Sequence, residues 1–295
     1  MKTKKLIIAL IATIAFTSCG GSGSKKTEST GEAAGSAAPQ SGKPLNISIY
    51  LDLSDRLKRN LTPSQKERDL AIVGHIADYF RAQTVGPKIL QSKNNIKVFF
   101  YPAPNSSDIA TLAEDLCIDI TKFNGVEKRV VLDGDANQGK PSLKERFNKN
   151  LSAIYDKALD AKEFPGCDIW DFFSNKNVDT QCKCIREGFR NILVVLTDGY
   201  LYDEKHKVQR GDSLSWVTAS SLRNPKTALI VNRKGLDDLE VRILEVNPTD
   251  INHRDHLVSV LENWLKGMGV KKENITVSET GLPINTQTII DSFLN

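Results

Sequence analysis

Aliphatic runs alternate with amphipathic segments along most of this chain, and the runs predict β-strands. They lie at residues 46–52, 96–101, 130–132, 192–197, 228–231, 239–246 and 275–277. The run at 192–197 is almost continuously aliphatic, which is typical of a central strand buried on both faces of a sheet.

The amphipathic segments between these runs predict helices. Apolar side chains recur every three or four positions within residues 62–80, 109–120, 142–158, 257–268 and 286–293. The first has Thr62 as its N-cap, with Pro63 in the first turn, and the third has a capping box of Ser142 and Glu145. Alternating strands and helices predict an α/β fold, with a mostly parallel central sheet and helices on both faces.

The N-terminus resembles the signal sequence of a bacterial lipoprotein. Three lysines precede an apolar run of eleven residues (6–16), too short to span a bilayer and typical of a signal peptide. The run ends in a lipobox-like FTSCG at residues 16–20. This resemblance implies cleavage before Cys19 and its lipidation, including palmitate; the alternative is an ordinary secretory signal. Position 20 is Gly and not the Asp that resembles an inner-membrane retention signal, which favours the outer membrane. The sequence does not indicate which face of that membrane carries the protein.

Residues 20–44 predict a flexible tether. They contain no aliphatic side chain larger than Ala and no aromatic, so they cannot bury enough apolar surface to fold. The predicted organisation is a signal peptide at 1–18, a lipidated cysteine and tether at 19–44, and one α/β domain at 45–295. Such a tether spans roughly 25–30 Å root-mean-square.

The charge distribution gives no support for a nucleic-acid partner. The chain carries a formal net charge of +4, and residues 1–44, with six lysines and two glutamates, account for all of it. The folded part is therefore neutral overall, without the net basic charge of a typical nucleic-acid-binding domain.

Four further cysteines predict disulfides outside the cytoplasm. Cys117, Cys167, Cys182 and Cys184 allow three pairings. A bridge within the C-x-C would be strained, which favours pairs with Cys117 and Cys167. Free thiols and a zinc site remain alternatives. Residues 163–185 therefore predict a disulfide-braced insertion, whose aromatic run at 169–173 is either a partner-binding patch or packing over the sheet.

Acidic residues follow three of the predicted strands. They are Asp52 and Asp55 after the first, Asp133 and Asp135 after the run at 130–132, and Asp198 after the buried strand. The carboxyl ends of parallel strands meet at one edge of a sheet, where ligands bind. Carboxylates converging there need a compensating cation or arginine.

These three loops resemble those of a von Willebrand factor A (VWA) domain. The first reads ISIYLDLSDR at 47–56, the middle loop runs from Gly134 to Lys140, and the last reads ILVVLTDG at 192–199. The resemblance implies a metal-ion-dependent adhesion site, in which side-chain oxygens hold Mg²⁺.

The oxygen-donor set of that adhesion site is incomplete in this chain. Asp52, Ser54 and Asp198 match its ligands, but Arg56 replaces the second serine and Ala136 the loop threonine. We expect either that the Arg56 guanidinium replaces the ion, donating to Asp52 or Asp198, or that a residual Mg²⁺ site remains, or that neither is present.

The sequence favours a binding protein over an enzyme. The expected function is binding of an envelope protein, or envelope assembly, through the carboxyl edge of the sheet, with no cofactor or a weakly held Mg²⁺. The expected contact residues are Asp52, Ser54, Arg56, Asn137, Asp198 and Tyr200, with Tyr202 nearby. The alternative is a metal-dependent hydrolase built on Asp52, Asp135 and Asp198, although no nucleophile or general base is evident.

Overall fold

The computed structural model describes residues 42–86, 89–103, 106–161, 166–184, 188–201, 209–210, 213–214, 222, 229–231, 233–248 and 254–294. The predicted leader, Cys19 and most of the tether lie outside these residues, as does Tyr202. Ser36–Asn295 forms one compact unit. Among the described residues, no helix is long and apolar enough to cross a membrane.

A six-stranded sheet organises the domain. Its strands are β1 (Leu45–Leu51), β2 (Asn95–Phe99), β3 (Cys117–Asp119), β4 (Arg190–Leu196), β7 (Leu239–Val246) and β8 (Ile275–Glu279). Their spatial order is β3-β2-β1-β4-β7-β8, with only β3 antiparallel to its neighbour. A separate two-stranded ladder joins β5 (Gln209–Arg210) to β6 (Ser213–Leu214).

Helices cover both faces of the sheet, as predicted. They are α1 (Gln65–Thr84), α2 (Ser107–Glu114), α3 (Gly125–Asp133), α4 (Leu143–Asp160), α5 (Ile169–Ser174), α6 (Asn177–Cys182), α7 (Arg254–Gly267) and α8 (Pro283–Leu294). One core contains side chains of α1, α2, α4 and α8, and the second contains those of α5, α6 and α7. Within β4, Ile192 and Val194 join the first core while Leu193 and Val195 join the second, as its aliphatic run predicts.

Three predicted elements differ in the structure. Residues 130–132 belong to α3, whose capping box of Asn124 and Glu127 starts a helix through this short apolar run. The predicted helix at 109–120 ends at Glu114, and its last residues form the edge strand β3. Residues 229–231 form no strand.

Helix α1 starts two residues later than the sequence suggested. Its N-cap is Ser64, whose Oγ accepts from Glu67 N, and the Glu67 carboxylate accepts from Ser64 N in return. This reciprocal pair satisfies two backbone donors at the start of the helix.

The region at 163–185 is a packing layer, since its described part forms α5 and α6 over one face of the sheet. Phe172 and Phe173 are fully buried and Trp170 nearly so. The indole N–H groups of Trp170 and Trp264 both donate to the carbonyl of Leu229 at 3.0 Å. The aromatic run therefore belongs to the core and does not form an exposed patch.

The predicted disulfides are absent: Cys117, Cys167, Cys182 and Cys184 are all free thiols. Cys167 follows Gly166, which pairs with Leu53 beyond the end of β1. The segment with Cys182 and Cys184 instead contacts Asn46 and Asn191, at the starts of β1 and β4. A strand of seven residues separates these positions by roughly 20 Å, far beyond the reach of a disulfide.

Candidate functional site

The candidate site lies between the carboxyl ends of β1 and β4, where the strand order reverses. From β1 the chain passes to β2 on one side, and from β4 it passes to β7 on the other. Such a switch point leaves a crevice in which α/β proteins bind ligands. Asp52 directly follows β1, and Asp198 follows β4 after one residue. The structure therefore brings these two predicted site residues to the same switch point of the sheet.

Asp52 is fixed by hydrogen bonds and is only 2% exposed. Its Oδ1 accepts from Ser54 N at 2.8 Å, and its Oδ2 accepts from Thr197 Oγ1 at 2.8 Å. Thr197 Oγ1 in turn accepts from Gly199 N at 3.1 Å. These bonds join the two loops directly and hold the Asp52 carboxylate in one orientation.

The loops that carry Asp52 and Asp198 form the rim of the sheet at its carboxyl edge. Arg56 lies buried beneath this rim, with Asp69 as its main partner. Its Nη2 is 2.5 Å from Asp69 Oδ2, while its Nε donates to the backbone oxygen of Asp52 at 2.9 Å and lies 3.9 Å from the Asp52 carboxylate. Asp69 also accepts from Tyr155 Oη at 2.5 Å and from Gln65 Nε2 at 2.9 Å. Arg56 therefore contacts Asp52 mainly through the backbone oxygen. Its guanidinium forms its closest ion pair with Asp69 of helix α1.

Asp198 pairs with a different arginine from the expected one. Arg59 Nη2 lies 2.7 Å from Asp198 Oδ2, with the Arg59 side chain 19% exposed and that of Asp198 9%. Tyr200, which is half-buried, donates its backbone N–H to Asp198 Oδ1 at 3.4 Å. Ser54, Arg59 and Tyr200 therefore form the part of the cluster that reaches solvent.

The electrostatics of the cluster follow from burial and from the spacing of its charges. Burial, followed by the negative charge of Asp52, raises the pKa of Asp198 to about 6, against the opposing effect of Arg59. Burial acts to lower the pKa of Arg56, but the adjacent acidic groups, Asp69 first, outweigh it and raise that pKa above its ordinary value. Arg56 is therefore a permanent positive charge at this edge.

A second buried ion pair braces the rim from β7. Arg68 Nε lies 2.7 Å from Glu245 Oε2, and both side chains are almost fully buried. Glu245 adopts a positive φ of 65°, which a non-glycine residue adopts only when its surroundings hold it there. Its Oε1 also accepts from Thr286 Oγ1 at 3.3 Å, so α1, β7 and α8 meet at this carboxylate.

Cys167 lies below the rim, and its thiol is unreactive. Its thiol donates to Tyr50 Oη at 3.2 Å, and that hydroxyl donates to the carbonyl of Tyr101 at 2.6 Å. Burial raises the pKa of the Cys167 thiol well above its ordinary value, so the protonated form persists. The unreactive thiol cannot supply a nucleophile to the crevice.

The middle loop, with Asp135 and Asn137, lies at the opposite end of the domain. Helix α4, which follows the loop, runs antiparallel to α1: Lys144 near its start pairs with Asp78, and Asp156 near its end pairs with Lys66. Because α1 begins at the carboxyl edge and runs away from it, the start of α4 lies far from Asp52 and Asp198. The prediction that three loops meet at the carboxyl edge is wrong for the middle loop. Residues 130–132 belong to helix α3, so no strand leads the chain to that edge before the loop.

The residues present do not fit a bound Mg²⁺. Both Asp52 oxygens already accept hydrogen bonds, Asp198 Oδ2 is occupied by Arg59, and the charge of Arg56 lies against the same carboxylates. Among the described residues, no group of three or more His, Cys, Asp or Glu side chains is arranged to hold a metal ion. A divalent cation would have to displace the arginines and bind beside a buried positive charge.

Three residues of the cluster were missed by sequence reasoning: Asp69, Tyr155 and Arg59. Asp69 falls on the same helical stripe as Val73, Ile76 and Phe80, so a charged residue among core positions was an available signal. Tyr155 follows Ile154 on the buried face of α4. Arg59, in the loop after β1, carries no sequence signal.

Comparison with known proteins gives only remote structural likenesses. No protein-family model matches the chain, and no curated protein matches it. A solved structure that does is the crystal structure of an aerotolerance-related membrane protein from Bacteroides fragilis NCTC 9343 with multiple mutations to serines. It is 12% identical, with 85% of this chain and 98% of that chain covered and a TM-score of 0.41. The functional interpretation therefore rests on the geometry of this chain.

Proposed function

We propose that this chain is a bacterial envelope lipoprotein whose VWA-like domain binds a protein partner through the carboxyl edge of its sheet. The observation that carries the proposal is the charged cluster at the β1/β4 switch point, buried at Asp52, Arg56 and Asp69 and reaching solvent at the Arg59–Asp198 pair. A rigid, partly exposed ion pair in such a crevice suits recognition of a polar surface.

The membrane attachment in this proposal rests on the leader and on Cys19. Lipidation of Cys19 places the domain on the outer membrane, with residues 20–44 as its tether. Intact-mass measurement of the protein purified from membranes tests this: we expect a mass for residues 19–295 plus acyl groups, and a Cys19→Ser variant that is no longer retained by the membrane.

The arginines take the place of a metal ion in this proposal. We expect Mg²⁺ and Mn²⁺ to leave the melting temperature of the protein unchanged, because Arg56 and Arg59 already neutralise the carboxylates. A stabilisation by either ion that disappears in Asp198→Ala would contradict the proposal that the arginines replace a metal ion.

The hydrolase alternative is the weaker function. Its three carboxylates do not assemble, because Asp135 lies at the other end of the domain, and the remaining pair is held by arginines. The rim also offers no unpaired base of suitable geometry among the described residues.

The decisive experiment is affinity purification from detergent-solubilised envelopes. The wild type is compared with Arg59→Gln, which opens the partly exposed pair at the rim, and with Arg81→Gln, which opens the exposed Arg81–Asp133 pair at the far end of α1. We expect one partner that is retained by the wild type and Arg81→Gln and lost by Arg59→Gln. A partner captured equally by all three proteins would show that binding occurs elsewhere.

A further inference from the structure

The chain enters the domain at the edge opposite the candidate site. Strand β1 begins at Leu45, and the carbonyl of Pro44 accepts from Arg190 N at the start of β4. The amino ends of the parallel strands are therefore the point where the tether arrives. Strands of five to eight residues place this edge roughly 20 Å from the rim that holds Asp198.

Five exposed lysines mark this same edge. Lys43 lies two residues before β1 and Lys93 two residues before β2, while Lys271 and Lys272 lie in the turn that leads into β8. Lys122 belongs with them because β3 is antiparallel and Asp119, its last residue, pairs with Asn95. No described residue forms a salt bridge with any of these five lysines.

Acidic side chains at this edge are fewer and partly neutralised. They are Asp119 at the end of β3, Asp237 and Asp238 before β7, and Glu273 beside Lys272. Asp238 is paired with Lys183 at 2.9 Å. The segments that precede the strands thus present an excess of positive charge on the surface nearest the tether.

We propose that this amino edge docks on anionic phospholipid headgroups of the membrane that holds the lipid anchor. The proposal rests on the lipid attachment proposed above and adds an orientation to it. A tether of about 25 residues keeps the edge within roughly 30 Å of the bilayer, and exposed lysines near an anionic surface each contribute attraction that decays within about 10 Å. The rim with Arg59 and Asp198 then faces away from the membrane, where a partner can reach it.

Vesicle binding of an unlipidated chain tests the docking surface directly. The protein begins at residue 19 and carries Cys19→Ser, which leaves the whole compact unit of Ser36–Asn295 in place. We expect it to sediment with vesicles of phosphatidylcholine and phosphatidylglycerol at low salt. It should not sediment with phosphatidylcholine alone, nor with the anionic vesicles at high salt.

Two variants of equal charge separate the lysine edge from net charge. The first replaces Lys93, Lys122, Lys271 and Lys272 by Gln; the second replaces the lysines of other surfaces, which are Lys66, Lys149, Lys157 and Lys176. At about five-fold per lysine, the four replacements of the first variant together correspond to a loss of about 600-fold in vesicle affinity, and we expect the second to lose far less. Equal losses, or binding to neutral vesicles, would overturn the proposal.

The orientation is tested with the lipidated protein in the same anionic vesicles. Acetylation followed by peptide mass spectrometry should show the amino-edge lysines protected relative to detergent solution, and Lys149 and Lys176 unprotected. Uniform reactivity would overturn the orientation. Because the sedimentation assay uses no lipid anchor and no partner, failure of docking is distinguished from failure of lipidation at Cys19 or of partner binding at the rim.

Discussion

The Arg56–Asp69 pair provides a sharp test of how the rim is built. The two side chains are 2.5 Å apart and at most 1% exposed. Asp69→Ala would leave the guanidinium buried, with Asp52 at 3.9 Å as its nearest carboxylate, and would remove the acceptor of Tyr155 and Gln65. Removing one partner of a buried ion pair costs about 3–5 kcal/mol of unfolding free energy, and we expect a loss in this range.

Equilibrium unfolding in urea near neutral pH measures this loss. The matched control is Asp78→Ala, which breaks an exposed pair with Lys144 on the same helix and should cost at most about 1 kcal/mol. A double replacement, Arg56→Met with Asp69→Leu, should recover much of the stability because no isolated charge remains buried. If Asp69→Ala costs no more than Asp78→Ala, the pair does not organise the rim.

Three further outcomes follow from the structure. Because burial and Asp52 raise the pKa of Asp198 from 3.8 to about 6, the folded state binds this proton more tightly, and stability should fall by up to about 3 kcal/mol as pH rises from about 4 to 6. Urea unfolding across that range should show a smaller fall in Asp198→Asn, and equal slopes would contradict the assignment. Ser64→Ala should cost about 1 kcal/mol and Thr62→Ala little in the same assay, since only Ser64 caps α1; the reverse order would restore the sequence prediction. Exposed Cys117 should alkylate in the native protein, whereas Cys182, whose burial raises its pKa to about 12, should react only after unfolding. A non-reduced digest in which either peptide is recovered as a cross-linked species, two hydrogens lighter than the sum of the joined peptides, would instead reveal a disulfide.

The long and strongly patterned elements could be predicted from sequence. Strands β1, β4 and β7 are seven or eight residues long and rich in aliphatic side chains, and the capping box of Ser142 and Glu145 starts α4 as expected. Short apolar runs failed, because three residues such as 130–132 are too few to distinguish the periodicity of a strand from that of a helix. The signal that decides this case, Asn124 with Glu127 before the run, was present in the sequence.

The site could be predicted only where it depends on strand ends. Asp52 and Asp198 follow aliphatic strands, and the strand order places them together. Their ion-pair partners depend on how a loop and a helix pack, so Arg59 and Asp69 could not be assigned by spacing alone. The prediction that the loop with Asn137 reaches the rim was wrong for the same reason as the predicted strand at 130–132. A loop reaches the carboxyl edge of a parallel sheet when a strand leads to it, and here a helix precedes the loop.

Arg68 and Asp69 are neighbours on α1, yet they bind partners from different parts of the sheet. Arg68 holds Glu245 of β7, and Asp69 holds Arg56 in the loop after β1. A rotation of α1 would disturb both pairs, so we expect the surface proposed for partner binding to be preformed. Encounter then needs no rearrangement, and association should proceed at about 10⁵–10⁷ M⁻¹s⁻¹, the ordinary range for two rigid surfaces. Variants of the partner should therefore differ chiefly in the lifetime of the complex.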